Sequence, residues 1–410
     1  MENELMTVTL PDLDTLLQPL LADEEGSTTL SAREYLFPVT REHVYFNHAS
    51  TGALPLPTAR LMQEYIADTS RYGGLHEDYW RGHCTEARRR LGRMLDVPAE
   101  LIAFTASTGD GLMTIAQGLE WRAGDHIVLA EGEFPSNVYA WLNLREQGVE
   151  IEFVPVRDGR IPAEEICARI TERTRLVSLS LVEFSTGFRN DVATVAAYCH
   201  ERGIICGIDA IQALGALDVN VPRLGVDFVA AAGHKWLLSP HICGILYVSE
   251  DLLARLQVSR RGWFSVSNPM DFFNYEQPLK EGAARFEHSS PNTFPTVGLS
   301  ASLHVFERLQ GGMQAVEQRI LGLTAHTIKG LQQLGYRVVT PMGEGERSGI
   351  VCFQPIAERQ QTVQGVVAAL AERRICVAAR GTVVRISPHF YNTIAEVDAL
   401  LNALEEIKGI

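Results

Sequence analysis

Lys235 and Asp209 are the residues whose types and placement carry the most chemistry in this 410-residue chain. An apolar run (Ile204, Ile205, Cys206) reads as a buried strand, with Asp209 at its carboxyl end. A second run, Asp227 to Ala232, is followed by Gly233-His234-Lys235. That pattern puts an acid and a lysine on loops at one edge of a parallel sheet, the edge where open α/β sheets bind ligands. Taken singly, each has a plainer explanation: a lysine after a strand is usually solvated, and an aspartate at a strand end usually caps a turn. Together they offer an amine that can form a Schiff base and a carboxylate that can hold a pyridinium nitrogen protonated. Pyridoxal phosphate (PLP) needs both.

With Gln212 one helical turn beyond Asp209, the stretch GIDAIQALGALDVNVPRLGVDFVAAAGHKW resembles the class V aminotransferase group of PLP enzymes. That group includes cysteine desulfurases, selenocysteine lyases, kynureninases and isopenicillin N epimerase-like proteins, and the resemblance runs from about Tyr45 to the end of the chain. It implies that Lys235 is the catalytic, cofactor-linked lysine, that Asp209 pairs with the ring nitrogen, that Gln212 bonds the ring's phenolic oxygen and that His234 touches the phosphate. FTASTGDGLMTIAQGL reads as a strand ending at Thr105, a small-residue loop and a helix starting near Gly109. Backbone N–H groups at a helix start, with the hydroxyls of Ser107 and Thr108, suit a phosphate dianion, and the resemblance places the phosphate loop there. It also sets Phe134 over the pyridine ring, where desulfurases carry a histidine; a phenyl face packs on the ring but exchanges no proton. Arg385, in VRISPHFYNTIAEVDALLNAL, is implied as the anchor of the substrate α-carboxylate, for which a guanidinium fork is well shaped. His48 and Ala49, in YFNHASTGALPLP, are implied to line the substrate pocket. RFEHSSPNTFP resembles the segment that crosses to a neighbouring subunit's phosphate, with Ser290 where a desulfurase has threonine, which implies a homodimer with shared active sites. Arg380, His241, Trp263 and Glu183 are further residues that could face the pocket.

The chain departs from the desulfurase pattern in three further places. Ala232 stands where a phosphate-binding serine is common, and Val182 or Glu183 replaces an asparagine expected near the ring oxygen. The mobile cysteine loop is missing: ICVAARGTVVRISP runs from one strand to Arg385 with almost no loop, and Cys376 reads as a buried, inert thiol. The missing cysteine loop argues against persulfide-forming desulfurase chemistry, and Phe134 in place of the histidine weakens the case for it further.

The elements that must position these residues alternate. Strand-like runs fall at Leu101–Thr105, His126–Ala130, Ile151–Val156, Leu176–Leu181, Ile204–Ile208, Phe228–Ala232 and Gly244–Val248, with helix-period segments between most of them. This predicts an α/β fold with a doubly wound, mostly parallel sheet. Beyond Pro295, two long helical segments and the strand-like Tyr336–Thr340, Gly349–Phe353, Ile375–Ala378 and Val384–Ser387 predict a separate α+β unit. The resemblance implies PLP fold type I: a large domain with a seven-stranded sheet over 41–297 and a small C-terminal domain over 298–410. Residues 1–40, with a short helix over Leu10 to Leu21, are expected to form an arm on the small domain.

The net charge of −14 disfavours nucleic acid or an anionic membrane surface as partner. No apolar stretch is long enough to span a membrane, and the acidic start is unlike a secretory signal. Seven cysteines without CxxC pairing suit a reduced, cytoplasmic compartment and no metal site. The expected function is a PLP lyase acting at Cα and Cβ of an amino acid, by β-elimination that could include C–S cleavage. A class V aminotransferase, an epimerase and a non-catalytic protein of this fold are the alternatives.

Overall fold

The computed structural model describes Leu17 and residues 27–407. Of the expected N-terminal helix over Leu10 to Leu21, only the helical Leu17 lies within them. Thirteen strands are described: β1 (Val44–Tyr45), β2 (Ile102–Thr105), β3 (His126–Ala130), β4 (Glu150–Val154), β5 (Thr174–Ser180), β6 (Ile205–Asp209), β7 (Phe228–Ala232), β8 (Gly244–Val248), β9 (Arg337–Val338), β10 (Val351–Gln354), β11 (Ile375–Cys376), β12 (Ala378–Arg380) and β13 (Val383–Ile386). Seven of them form one sheet in the order β2-β8-β7-β6-β5-β3-β4. The β7, β6, β5, β3 and β4 neighbours are parallel, and β8 runs antiparallel to both β7 and β2. Helices cover both faces, which is why β3, β6, β7 and β8 are buried throughout and read as near-continuous apolar runs. This is the mostly parallel seven-stranded sheet that the sequence resemblance implies.

A second core gathers Phe46, Leu323, Val351, Phe353, Val384, Val397 and their neighbours around the four-stranded sheet β12-β13-β10-β9. The apolar run at 375–378 serves two sheets: β11 pairs in parallel with β1, while β12 turns back on β13. The helix Thr293–Arg308 passes unbroken through residues 297 and 298, and packs on the helices Leu56–Tyr72 and Glu77–Leu95. Its buried Leu299, Leu303 and Phe306 belong to the core of the large sheet. Ahead of β1, the helix Ser27–Leu36 is held to the C-terminal unit. Arg33 pairs with Glu396 at 2.7 Å, and Phe37 stacks on Tyr391 with ring centroids 3.9 Å apart.

The segment 47–52 is stitched between the two units. The N–H groups of His48 and Ala49 donate to the carbonyl and hydroxyl of Ser387, and the Gly52 N–H donates to the His234 carbonyl at 2.8 Å. A side chain at Gly52 would lie 2.1 Å from the Lys235 carbonyl oxygen, so this approach demands glycine. Among the described residues no helix is long and apolar enough to cross a membrane, and no cluster of acidic, histidine and cysteine side chains could hold a metal.

Candidate active site

A cavity of about 280 Å³ opens at the carboxyl edge of β6 and β7, between the large sheet and the β12–β13 hairpin. Asp209 ends β6 and Lys235 follows β7 by three residues; both line this cavity and both are buried. Burial pushes the Asp209 carboxyl up to about 6, against the pull of the Ile211 N–H, which it accepts at 2.8 Å, and of Lys235. Burial brings the Lys235 amine down to about 8; Asp209 opposes that shift, while Arg385 and Arg380 add to it. The sheet edge therefore holds a lysine with a larger free-amine fraction than an ordinary one, and a carboxyl that burial inclines toward its protonated form.

The helix Thr108–Gly118 begins at the same cavity. Ser107 is its N-cap, accepting the Asp110 N–H at 3.1 Å, and Ser107, Thr108 and Gly109 all line the opening. The Thr108 hydroxyl is buried with no partner. An orphaned hydroxyl at a helix start leaves a donor for an anion, as a phosphate requires. His234, on the same rim, stacks on His241 at 4.4 Å, and burial pushes it down to about 4, so a neutral imidazole stands there.

Phe134 keeps 40% of its surface exposed and turns its ring to the cavity, with the Lys235 ammonium 5.4 Å from the ring centroid. Phe184 meets it edge-on at 5.3 Å. Gln212 also reaches the cavity, but its amide is already engaged: it donates to the Ala49 carbonyl at 3.0 Å and accepts from the Trp236 indole at 2.9 Å. Opposite, Arg385 is 1% exposed; it donates to the Phe184 carbonyl at 3.0 Å and the Ser50 hydroxyl at 2.7 Å. Ala49 lines the cavity as well.

Two sequence-derived residues are elsewhere. His48 is completely buried behind the wall, its Nδ1–H donating to the Ser387 carbonyl and its Nε2 accepting the Tyr391 hydroxyl at 2.7 Å. Packing and hydrogen bonding take its ring inward, and Ser50 fills the place beside Arg385 instead. Ser290 lines a separate cavity with Arg88, Phe264 and Glu287, at the other end of the phosphate-loop region. Of the further residues considered, Arg380 faces the site, while Trp263 does not line it and Glu183 is buried behind it, accepting from Asn190 at 2.8 Å.

Ser50, Ser136, Phe184 and Ile211 line the cavity without having been singled out from the sequence. Ser136 is the first residue of the short helix that follows Phe134-Pro135, and the EFPSN stretch could have flagged it. Glu133 is a buried acid whose two carboxylate oxygens accept the Ser180 N–H and hydroxyl at 2.6 Å. Burial pushes it up to about 7. Ser180 is the register partner of Asp209, so a second carboxyl sits one strand away from the first.

The pair at the sheet edge, the helix start with its orphaned hydroxyl and the aromatic face together suit an aldehyde cofactor carrying a phosphate. The aminotransferase class-V family model matches residues 44–400. The chain belongs to that family. It is 30% identical over 400 residues to a protein of Methanothermobacter thermautotrophicus named "probable cysteine desulfurase", covering 91% of this chain and 96% of that one. An uncharacterized aminotransferase of Bacillus subtilis is 25% identical, with 91% and 95% covered. Among solved structures, the apo cysteine desulfurase of Thermococcus onnurineus superposes with a TM-score of 0.83 at 26% identity, covering 92% of this chain and 97% of that one. The cystine C–S lyase C-DES shares the fold, with a TM-score of 0.84 at 24% identity and 91% and 100% covered. As a class V aminotransferase-family protein, the chain is a PLP-dependent enzyme, and the residues lining the cavity fit that cofactor.

Proposed function

We propose that this class V enzyme is an amino acid lyase that removes a substituent from Cβ, C–S cleavage included, without forming a persulfide on a protein cysteine. The observation that carries the second half is the β12–β13 connection. It is a two-residue turn, Gly381-Thr382, with Gly381 in the left-handed region at φ 53°. No loop there could carry a thiol to a substrate sulfur. Among the described residues no cysteine lines the cavity; Cys376, expected to be buried, is only half-buried at the end of the two-residue strand β11, with its thiol pushed up by partial burial. The desulfurase name carried by the archaeal relative supports sulfur-containing amino acids as substrates; the attacking cysteine has no counterpart here.

When bound, PLP supplies an electron sink for charge developing at the substrate Cα. The phosphate fits the Ser107–Gly109 helix start, with His234 at its rim. Asp209 would pair with the ring nitrogen and favour its protonated form, since a nearby negative charge stabilises the cation. Phe134, braced edge-on by Phe184, would offer the cofactor an aromatic face to pack on. Arg385 takes the substrate carboxylate and so fixes the Cα–H bond relative to the ring. Lys235 Nζ would serve as the base for the Cα proton, its proton affinity lowered by burial toward the neutral range. In a homodimer, Ser290 of each subunit would complete its neighbour's phosphate site.

The reading is tested by assaying ammonia and keto acid from β-substituted amino acids such as cystine and β-chloroalanine. The expected result is stoichiometric release of both, unchanged within about twofold in Cys376→Ser, since a thiol that does not line the cavity contributes little. Amino transfer that requires a keto acid acceptor and yields no ammonia would assign transamination instead.

A further inference from the structure

The cavity holds one guanidinium more than the proposed chemistry uses. Arg380 on β12 and Arg385 on β13 reach in from adjacent strands of one hairpin, and each donates to the same Ser50 hydroxyl oxygen at 2.7 Å. Arg380 is anchored separately, with a second N–H on the Ala379 carbonyl at 2.7 Å. Among the described residues neither arginine has a carboxylate partner within ion-pair distance, and the Nε of Arg385 is buried without any partner. Two like charges brought onto one oxygen in a buried cavity repel unless an anion joins them. Both depress Lys235, and Arg380 depresses Arg385, as unneutralised neighbours must. The Ser50 oxygen accepts from both forks, so its own O–H remains to donate outward.

The anions already assigned do not settle this charge. A cofactor phosphate belongs at the helix start, and Asp209 belongs to the ring nitrogen. The substrate α-carboxylate satisfies one fork. We propose that Arg380, with the Ser50 hydroxyl, is a second anion receptor, and that the substrate is an amino acid whose side chain ends in an acidic group. This rests on the reading of the cavity as an amino acid site. Arg380 is then a specificity residue: it selects among substrates that Arg385 alone would hold by their common end.

The test uses the PLP-loaded protein and two isosteric pairs, aspartate with asparagine and glutamate with glutamine, titrated by visible absorption and by calorimetry. At least one acid should bind about 10-fold or more tighter than its amide, the worth of one charge-assisted hydrogen bond. Arg380→Gln should bring that ratio close to one, and Arg380→Lys should retain part of it. Equal affinity for acid and amide in the parent protein overturns the proposal without recourse to any variant. So does an Arg380→Gln protein that loses affinity for both members equally, since Arg380 would then share the α-carboxylate with Arg385. A spectrum that no amino acid perturbs, with PLP still attached, would remove the amino acid reading itself and this proposal with it.

Discussion

The two walls of the cavity are built in different ways. One is the carboxyl edge of the large sheet, where Asp209, Lys235 and the Ser107–Gly109 helix start follow buried strands by no more than a few residues. The other joins Ser50, Phe184, Arg380 and Arg385, which come from three distant stretches of chain and meet through side-chain and carbonyl hydrogen bonds. The first wall is rigid by virtue of the sheet and carries the groups suited to a cofactor. The second is assembled by docking of the C-terminal unit and carries the groups suited to a substrate. Retaining the first while varying the second would let one fold keep its cofactor and change its reaction.

If the walls divide the work this way, damage to each should read out differently. The largest effect on the substrate wall is expected from Arg385→Ala. Removing a buried, hydrogen-bonded charge partner should weaken substrate binding by about 2–5 kcal/mol, while the visible cofactor band stays intact. Titration of that band with substrate measures this, and a far smaller loss would move the carboxylate anchor elsewhere. On the cofactor wall, Phe134→Ala should have a more modest effect. It removes an aromatic face worth about 0.5–1.5 kcal/mol beyond its area, and should loosen PLP up to about tenfold in equilibrium dialysis. A loss confined to substrate affinity would assign Phe134 to the other wall.

The smallest and sharpest test concerns coupling between the walls. Burial, Arg385 and Arg380 all favour the neutral Lys235 amine, and Asp209 opposes them. Attachment of PLP to the apoprotein requires that neutral amine, so its rate should rise with pH through a midpoint near 8, well below an ordinary lysine. Removing a cation raises the lysine's proton affinity, so Arg380→Gln should move the midpoint upward. A midpoint indifferent to Arg380 would mean that the walls do not sense each other.

This division also explains what the sequence made legible. Parallel strands buried on both faces appear as unbroken apolar runs, so the ends of β6 and β7, and with them Asp209 and Lys235, can be read directly. Family resemblance then reached Phe134, Gln212 and Arg385, all of which line the cavity. It did not reach Ser50, and named His48 instead. The two residues lie on one tight turn, in which the Ser50 N–H donates to the Asn47 carbonyl. Which side chain turns inward there depends on Tyr391 and Ser387, more than 330 positions away. Phe184 is equally silent in sequence, because its carbonyl and ring matter only once Arg385 and Phe134 are beside them. The 375–378 run reads as one strand because its apolar character is continuous, and nothing local marks where it passes from β1 to β13 as partner.

The most direct measurement of the central claim is the visible absorption spectrum of the purified protein, followed by borohydride reduction and peptide mapping. A yellow protein whose reduced label maps to Lys235, with no label retained by Lys235→Ala, is the predicted result. A label on another lysine, or a colourless protein that takes up no added PLP, would contradict the account.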